Sequence, residues 1–216
     1  MGPFVLYAAF YFFRKPIYNT IFGSGFVTTP PSEIQTTACM LWSAHFFKRL
    51  FESVFVHRFS NPTMPIMNLF KNCSYYWLYA VICGYFINHP LYTSPTIAPS
   101  LQASVGFYGF IAMMCANLYS HLQLRWLRPP GTTKRAIPRG FLFNFVTCPN
   151  YFTEIAMWGF FSIYTQSVAA VLFTITGAYQ MYMWAVGKHR RYKIEFNGQN
   201  GTKKYPRRKV LIPFLL

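Results

Sequence analysis

The sequence predicts an all-α integral membrane protein: a multi-pass helical bundle of about five or six transmembrane helices, with a basic C-terminal segment folded onto it. Three observations lead there. Of 216 residues, 53% are hydrophobic and 21% aromatic, while 11% are charged, against about 25% charged in soluble chains. Residues 72–124 and 155–187 contain no Asp, Glu, Lys or Arg, and a membrane-spanning helix needs roughly 20 mainly apolar residues. Lys and Arg number 20 against four Glu and no Asp, and the bases are grouped: nine lie between Lys188 and Lys209 and five between Arg125 and Arg139. So much apolar mass excludes a disordered chain. Five scattered cysteines make no disulfide framework and no metal-ligand spacing with the histidines, so no metal is expected. The net charge of +16 would suit nucleic acid, but membrane-length apolar spans have no use there, and no nucleic-acid partner is expected.

The elements follow in order. Helices are expected at about 3–13, 34–58, 73–88, 101–127, 151–165 and 167–190, with boundaries good to several residues. His89-Pro90 to Pro99 breaks the first charge-free span, and Thr165–Ser167 hinges the second. Thr29-Pro30-Pro31, Asn61-Pro62 and Pro129-Pro130-Gly131 read as connections. The chain forms a single membrane domain over 1–216. The Arg125–Arg139 loop and the basic C-terminus should face the cytosol by the positive-inside rule.

Ionisable residues inside apolar stretches point to function. Helix 34–58 carries Lys48, Arg49 and Glu52; Lys48 and Glu52 are four apart and share a face. Spacing alone leaves two readings open: a polar pathway in the membrane, or charges snorkelling from a helix end. Asn117, Ser120 and His121 close an apolar helix, and Arg125 and Arg128 follow, which suits a cytosolic anion site or a plain positive-inside loop. The C-terminus mixes Lys and Arg with Tyr192, Phe196 and Tyr205 and ends in LIPFLL. That mixture suits a phosphorylated, stackable ligand or anionic lipid.

Four segments carry a resemblance: KRLFESVFVHRFSNPTMPIMNLFKNC (48–73), INHPLYT (87–93), LRPPGTTKRAIPRGFLFNFVTCPNYFTE (127–154) and GKHRRYKIEF followed by YPRRKVLIPFLL (187–216). Together they resemble the steroid 5-alpha-reductase family, and within it the very-long-chain trans-2-enoyl-CoA reductases. The resemblance implies a multi-pass enzyme of the endoplasmic reticulum membrane, with a cytosolic C-terminus, serving fatty acid elongation and through it sphingolipid metabolism. It implies NADPH as cofactor, a long-chain enoyl-CoA substrate, contact with the bilayer and with membrane proteins of the elongase complex, and residues 186–216 as a cofactor-binding segment. Gly23-Ser24-Gly25 lacks the third glycine of the dinucleotide fingerprint and follows no strand; the family binds its cofactor without that fold.

Residue by residue, the resemblance assigns the following roles. Tyr151, in Cys148-Pro149-Asn150-Tyr151, is the candidate catalytic hydroxyl, since a phenol carries a proton at neutral pH and can donate it. Lys48, Arg49 and Glu52 join the catalytic polar network, either holding substrate or cofactor or pairing structurally. Asn117, Arg125, Arg128, Asn150 and Glu154, with His189, Arg190, Tyr192, Tyr205 and Arg208, are implied to bind the cofactor. Arginine forks suit pyrophosphate and a 2′-phosphate. His121 stands where the steroid reductases carry an acid. The enoyl reductases usually begin with a ubiquitin-like domain that this sequence lacks. A sterol or steroid double-bond reductase and a catalytically silent scaffold of the elongation complex stay open as alternatives.

Overall fold

The computed structural model describes residues 1–58, 63, 65–96, 98–132, 135–199, 201 and 203–215; the expected connection at Asn61-Pro62 lies outside them. The regular elements are α1 (Gly2–Phe12), α2 (Arg14–Phe22), α3 (Glu33–Phe51), α4 (Ile66–Ile87), α5 (Pro99–Leu127), α6 (Pro149–Thr165) and α7 (Val168–Glu195). A π-helical turn (Glu52–Val56) continues α3, and a 3-10 turn (Phe141–Asn144) precedes α6. Among the described residues there is no β-strand, only an isolated bridge between Val146 and Lys209. Helices α5 and α7 are each long and apolar enough to cross a membrane.

Three differences from expectation have local causes. Arg14, Lys15 and Pro16 open the unexpected α2; proline in a first turn loses no intrahelical hydrogen bond. Helix α4 begins at Ile66, because Lys71 and Asn72 sit within its first turns rather than ahead of it. Helix α7 runs on to Glu195, since Lys and Arg are good helix formers. The expected hinge is a sharp one: Gln166, with φ of 48°, ends α6 before α7 starts.

Backbone satisfaction explains how the helix ends are tied together. Ser32 and Gln35 form a capping box at the start of α3. The Gln35 amide also donates to the carbonyls of Ile87 (2.8 Å) and His89 (3.1 Å). Arg14 Nε donates to Asn88 O at 2.9 Å, and the Tyr18 hydroxyl to Tyr85 O. Three side chains thus satisfy carbonyls that the C-terminus of α4 leaves orphaned. In lipid such groups have no water to turn to.

The core is aromatic. Trp42 is fully buried, stacks on Tyr7 (4.7 Å between centroids) and touches Trp158, Phe161 and Phe173. Its indole N–H donates to Pro3 O at 3.0 Å, so α3 holds α1. Helix α5 reaches α6 through Gly106 and Gly109, three residues apart. A methyl on Gly106 would stand 2.7 Å from the Tyr164 Cα, and one on Gly109 would overlap the Phe160 ring. Small residues that let backbones approach are how helices pack in lipid.

Gly106→Ala should therefore cost about 1–3 kcal/mol, since backbone must move, and should lower the unfolding temperature in detergent. Gly159→Ala, where nothing lies within 4 Å, is the matched control and should be neutral or slightly stabilising.

Candidate active site

The site is built around one carboxylate. The π-helical turn closes with His57 N donating to Glu52 O at 2.8 Å, and π turns recur at functional sites. It turns the chain at Glu52, whose side chain is completely buried. Lys48 Nζ donates to Glu52 Oε1 at 2.8 Å, His121 Nδ1 stands 3.0 Å from the same oxygen, and Arg49 Nη1 lies 3.7 Å from Oε2. Lys48 also donates to Asn117 Oδ1 (2.5 Å), and the Asn117 amide donates to Asn150 O (2.8 Å) and Thr153 Oγ1 (3.3 Å). One relay therefore joins α3, α5 and α6. Beside it, buried His45 on α3 reaches Glu154 on α6, Nε2 to Oε1, at 3.2 Å.

Three neighbouring cavities lie beside this relay. An inner chamber of about 310 Å³ is walled by Arg49, Ser53, His57, Tyr76, His121, Leu124, Asn150, Tyr151, Glu154, Met181, Trp184 and Lys188. It shares His57, His121, Leu124 and Lys188 with an outer basin of about 260 Å³. The basin wall carries Arg58, Arg125, Arg128, Arg135, Lys188 and Arg191 against one acid, Glu195. On the other side the chamber shares Tyr76, Glu154, Met181 and Trp184 with a narrow groove of about 150 Å³ between α4 and α7.

The basin is held in shape by its own arginines. Arg125 donates to Val56 O (3.1 Å) and Phe55 O. Arg58 donates to Arg125 O (3.2 Å) and Arg128 O, and Arg128 donates back to Arg58 O. These bonds lock the segment after the π turn to the end of α5. They use only part of each fork, which has five donors. Arg135 and Glu195 pair at 3.0 Å. His57, on the wall between basin and chamber, is pushed down to about 4, first by burial and then by the positive surroundings of His121 and Arg49. Its ring is accordingly neutral at pH 7. In this structure six cations meet one carboxylate around a cavity of small-ligand size, which fits a polyanionic cofactor such as NADPH.

The expected site residues separate into groups. Arg49, Asn150, Tyr151 and Glu154 wall the chamber, and Arg125, Arg128 and Tyr192 wall the basin. Lys48, Glu52 and Asn117 form the buried relay behind the chamber and line none of the three cavities. Glu154 pairs with His45. His189 is buried and bonded to Thr147 Oγ1 at 2.6 Å, and the Tyr205 hydroxyl donates to the same oxygen at 3.0 Å. Tyr205 and Arg208 line a separate cavity of about 440 Å³, although Tyr205 stacks on Tyr192 at 5.3 Å. Arg208 donates to Pro138 O at 3.0 Å and to Phe143 O. Arg190 is exposed, and its neighbour Arg191 lines the basin instead.

Sequence reasoning missed His57, Arg58, Lys188, Arg191, Tyr76 and Trp184. A signal for two of them exists: Trp184 and Lys188 recur at helical spacing along α7 with Met181 and Tyr192. Lys188 Nζ lies over the Tyr151 ring, 4.4 Å from its centroid. Burial pushes the pKa of the neighbouring Cys148 thiol up to about 11. Glu52, His57 and His121 bring ligand atoms within 4.8 Å of one another, a juxtaposition invisible in their spacing. Lys48 and Arg49 already lie on that carboxylate, and a dication would meet their charge.

Removing one partner of a buried charge pair costs about 3–5 kcal/mol. Glu52→Gln should lower thermal stability in detergent by that amount. Lys48→Met with Glu52→Leu should recover much of it, and the double-mutant cycle measures the coupling.

A family model described as 3-oxo-5-alpha-steroid 4-dehydrogenase matches residues 62–216. A very-long-chain enoyl-CoA reductase of Dictyostelium discoideum is 50% identical over all of this chain and 67% of its own length. A probable very-long-chain enoyl-CoA reductase of Caenorhabditis elegans is 46% identical over all of this chain and 68% of its own. A human trans-2,3-enoyl-CoA reductase-like protein is 31% identical over all of this chain and 58% of its own. By this family match and these identities, the chain belongs to the 3-oxo-5-alpha-steroid 4-dehydrogenase family, among its very-long-chain enoyl-CoA reductases.

Proposed function

We propose that this chain reduces the trans-2 double bond of long- and very-long-chain enoyl-CoA with NADPH, closing the fatty acid elongation cycle. It does so as a multi-pass protein of the endoplasmic reticulum membrane, with its basic C-terminus on the cytosolic face and elongase-complex proteins as neighbours. One observation carries the reading: the chamber lined by Tyr151 shares wall residues both with a cationic basin and with a largely apolar groove. A charged nucleotide and a lipid-like thioester would meet at that chamber.

NADPH, when bound, supplies hydride to Cβ of the enoyl group. The chain's own residues do the rest. Arg58, Arg125, Arg128 and Arg191 receive the phosphates, and the neutral His57 ring forms the passage wall. Negative charge develops on the thioester oxygen. Tyr151 supplies the hydroxyl that answers it, either as a hydrogen-bond donor to that oxygen or as general acid to Cα. The Lys188 ammonium over its ring favours the negative charge left on the phenol after transfer. Arg49, held beside Glu52, adds positive potential to the chamber wall. His189, Tyr205 and Arg208 support the cofactor site from behind: they dock the C-terminal segment on α7 and, through the Tyr192–Tyr205 stack, set the basin wall.

NADPH oxidation by membranes containing the chain, with a long-chain trans-2-enoyl-CoA, tests the reading. Tyr151→Phe should lower kcat by about 10²–10⁴-fold while NADPH binding persists. A parent that binds NADPH but leaves enoyl-CoA untouched would instead favour a sterol-type conjugated substrate. Loss of one charge-assisted contact is worth about 1.5–3 kcal/mol. Arg128→Ala should thus raise the KM for NADPH about ten- to hundredfold and leave kcat at saturation nearly intact.

A further inference from the structure

The groove between α4 and α7 takes no part in the ion relay or the cationic basin. It leaves the chamber at Met181 and Trp184 and runs along α7 as far as Phe173, about 16 Å of helix. Its walls are largely apolar and aromatic. Tyr75 stacks on Phe173 with centroids 5.5 Å apart, and its hydroxyl donates to Phe173 O at 2.8 Å. Lys71 Nζ reaches across to Gln180 Oε1 at 2.6 Å. At Gly177 the groove is narrowest, because the Tyr75 hydroxyl packs on the bare α7 backbone there: a Cβ would stand 2.7 Å from its oxygen.

We propose that this groove is the acyl-chain site, and that Gly177 opposite Tyr75 sets how long a chain it accepts. The proposal rests on the enoyl-thioester reading above. Its physical basis is adjacency: the groove shares Tyr76, Glu154, Met181 and Trp184 with the chamber that Tyr151 lines, so the tail of a thioester held there has an apolar path beside it. Gly177 lies seven residues from Trp184, about 10 Å along that path, so a short chain ends before it and a long chain must pass it. A tail arriving from the bilayer gains little from burial, because lipid is as apolar as the groove. Selection among chain lengths therefore works by shape, at the narrowest point. Met181, unbranched and adaptable, suits the junction where chains of every length pass.

The test compares kcat/KM for short-, medium- and long-chain trans-2-enoyl-CoA in proteoliposomes. Gly177→Leu should lower the long-to-short ratio about tenfold or more. Tyr75→Ala, which widens the same point, should raise it. A long-chain enoyl thioester with a diazirine at the tail end should crosslink the parent protein within 71–75 and 173–180. Equal losses at every chain length for both variants, or crosslinks confined to the outer faces of other helices, would overturn the proposal. If the parent reduces no enoyl-CoA of any length, the enzyme reading fails by itself. The crosslink map then still decides whether a long acyl thioester occupies the groove.

Discussion

The structure depends on burying one carboxylate. Glu52 has no exposed surface, and taking such a charge out of water costs several kcal/mol unless partners compensate. The partners come from two helices: Lys48 and Arg49 from the preceding turn, and His121 from α5. Lys48 is in turn held by Asn117, and Asn117 by the first turn of α6. Three helices are registered against each other by that one charge. Close packing of α5 on α6 at Gly106 and Gly109 lets Asn117 reach the α6 backbone. The π turn at Glu52 allows α3 to end there and the chain to swing toward the basin.

Helix α7 joins the two chemistries. Its first half packs Phe173 and Gly177 into an apolar setting, while its last turns carry Lys188, Arg191 and Tyr192 into the basin. One helix thus runs from apolar surroundings to a cationic basin. Met181 and Trp184 mark the transition, and both line chamber and groove.

The C-terminal segment acts as a clamp. Lys209 pairs with Val146, with Thr147 N donating to Lys209 O at 2.9 Å and Lys209 N to Phe145 O at 3.0 Å. Leu211 is buried beside Cys148 and Ala185. Tyr205 and His189 share Thr147 Oγ1. The segment thereby fastens the start of α6, which carries Tyr151, to the end of α7, which carries Lys188. Its basic residues act here through backbone pairing and stacking as much as through charge.

The sequence by itself determined the helical class, most helix positions, the hinge after Thr165 and the polar character of Lys48–Glu52. Each of these is a local property: apolar runs, proline and glycine breaks, and residues four apart on one helix. Motif resemblance extended that reach to Tyr151, Arg125 and Arg128. Only the tertiary structure decided which charges face a cavity and which serve the frame. Lys48 and Arg49 are adjacent in sequence, yet one is consumed by Glu52 and Asn117 and the other looks into the chamber. His45 meets Glu154, Glu52 meets His121, and Lys188 meets Tyr151 across long stretches of chain. Such pairings depend on how helices rotate and cross, which close contacts of Gly106, Gly109 and Trp42 set and no spacing within one helix records.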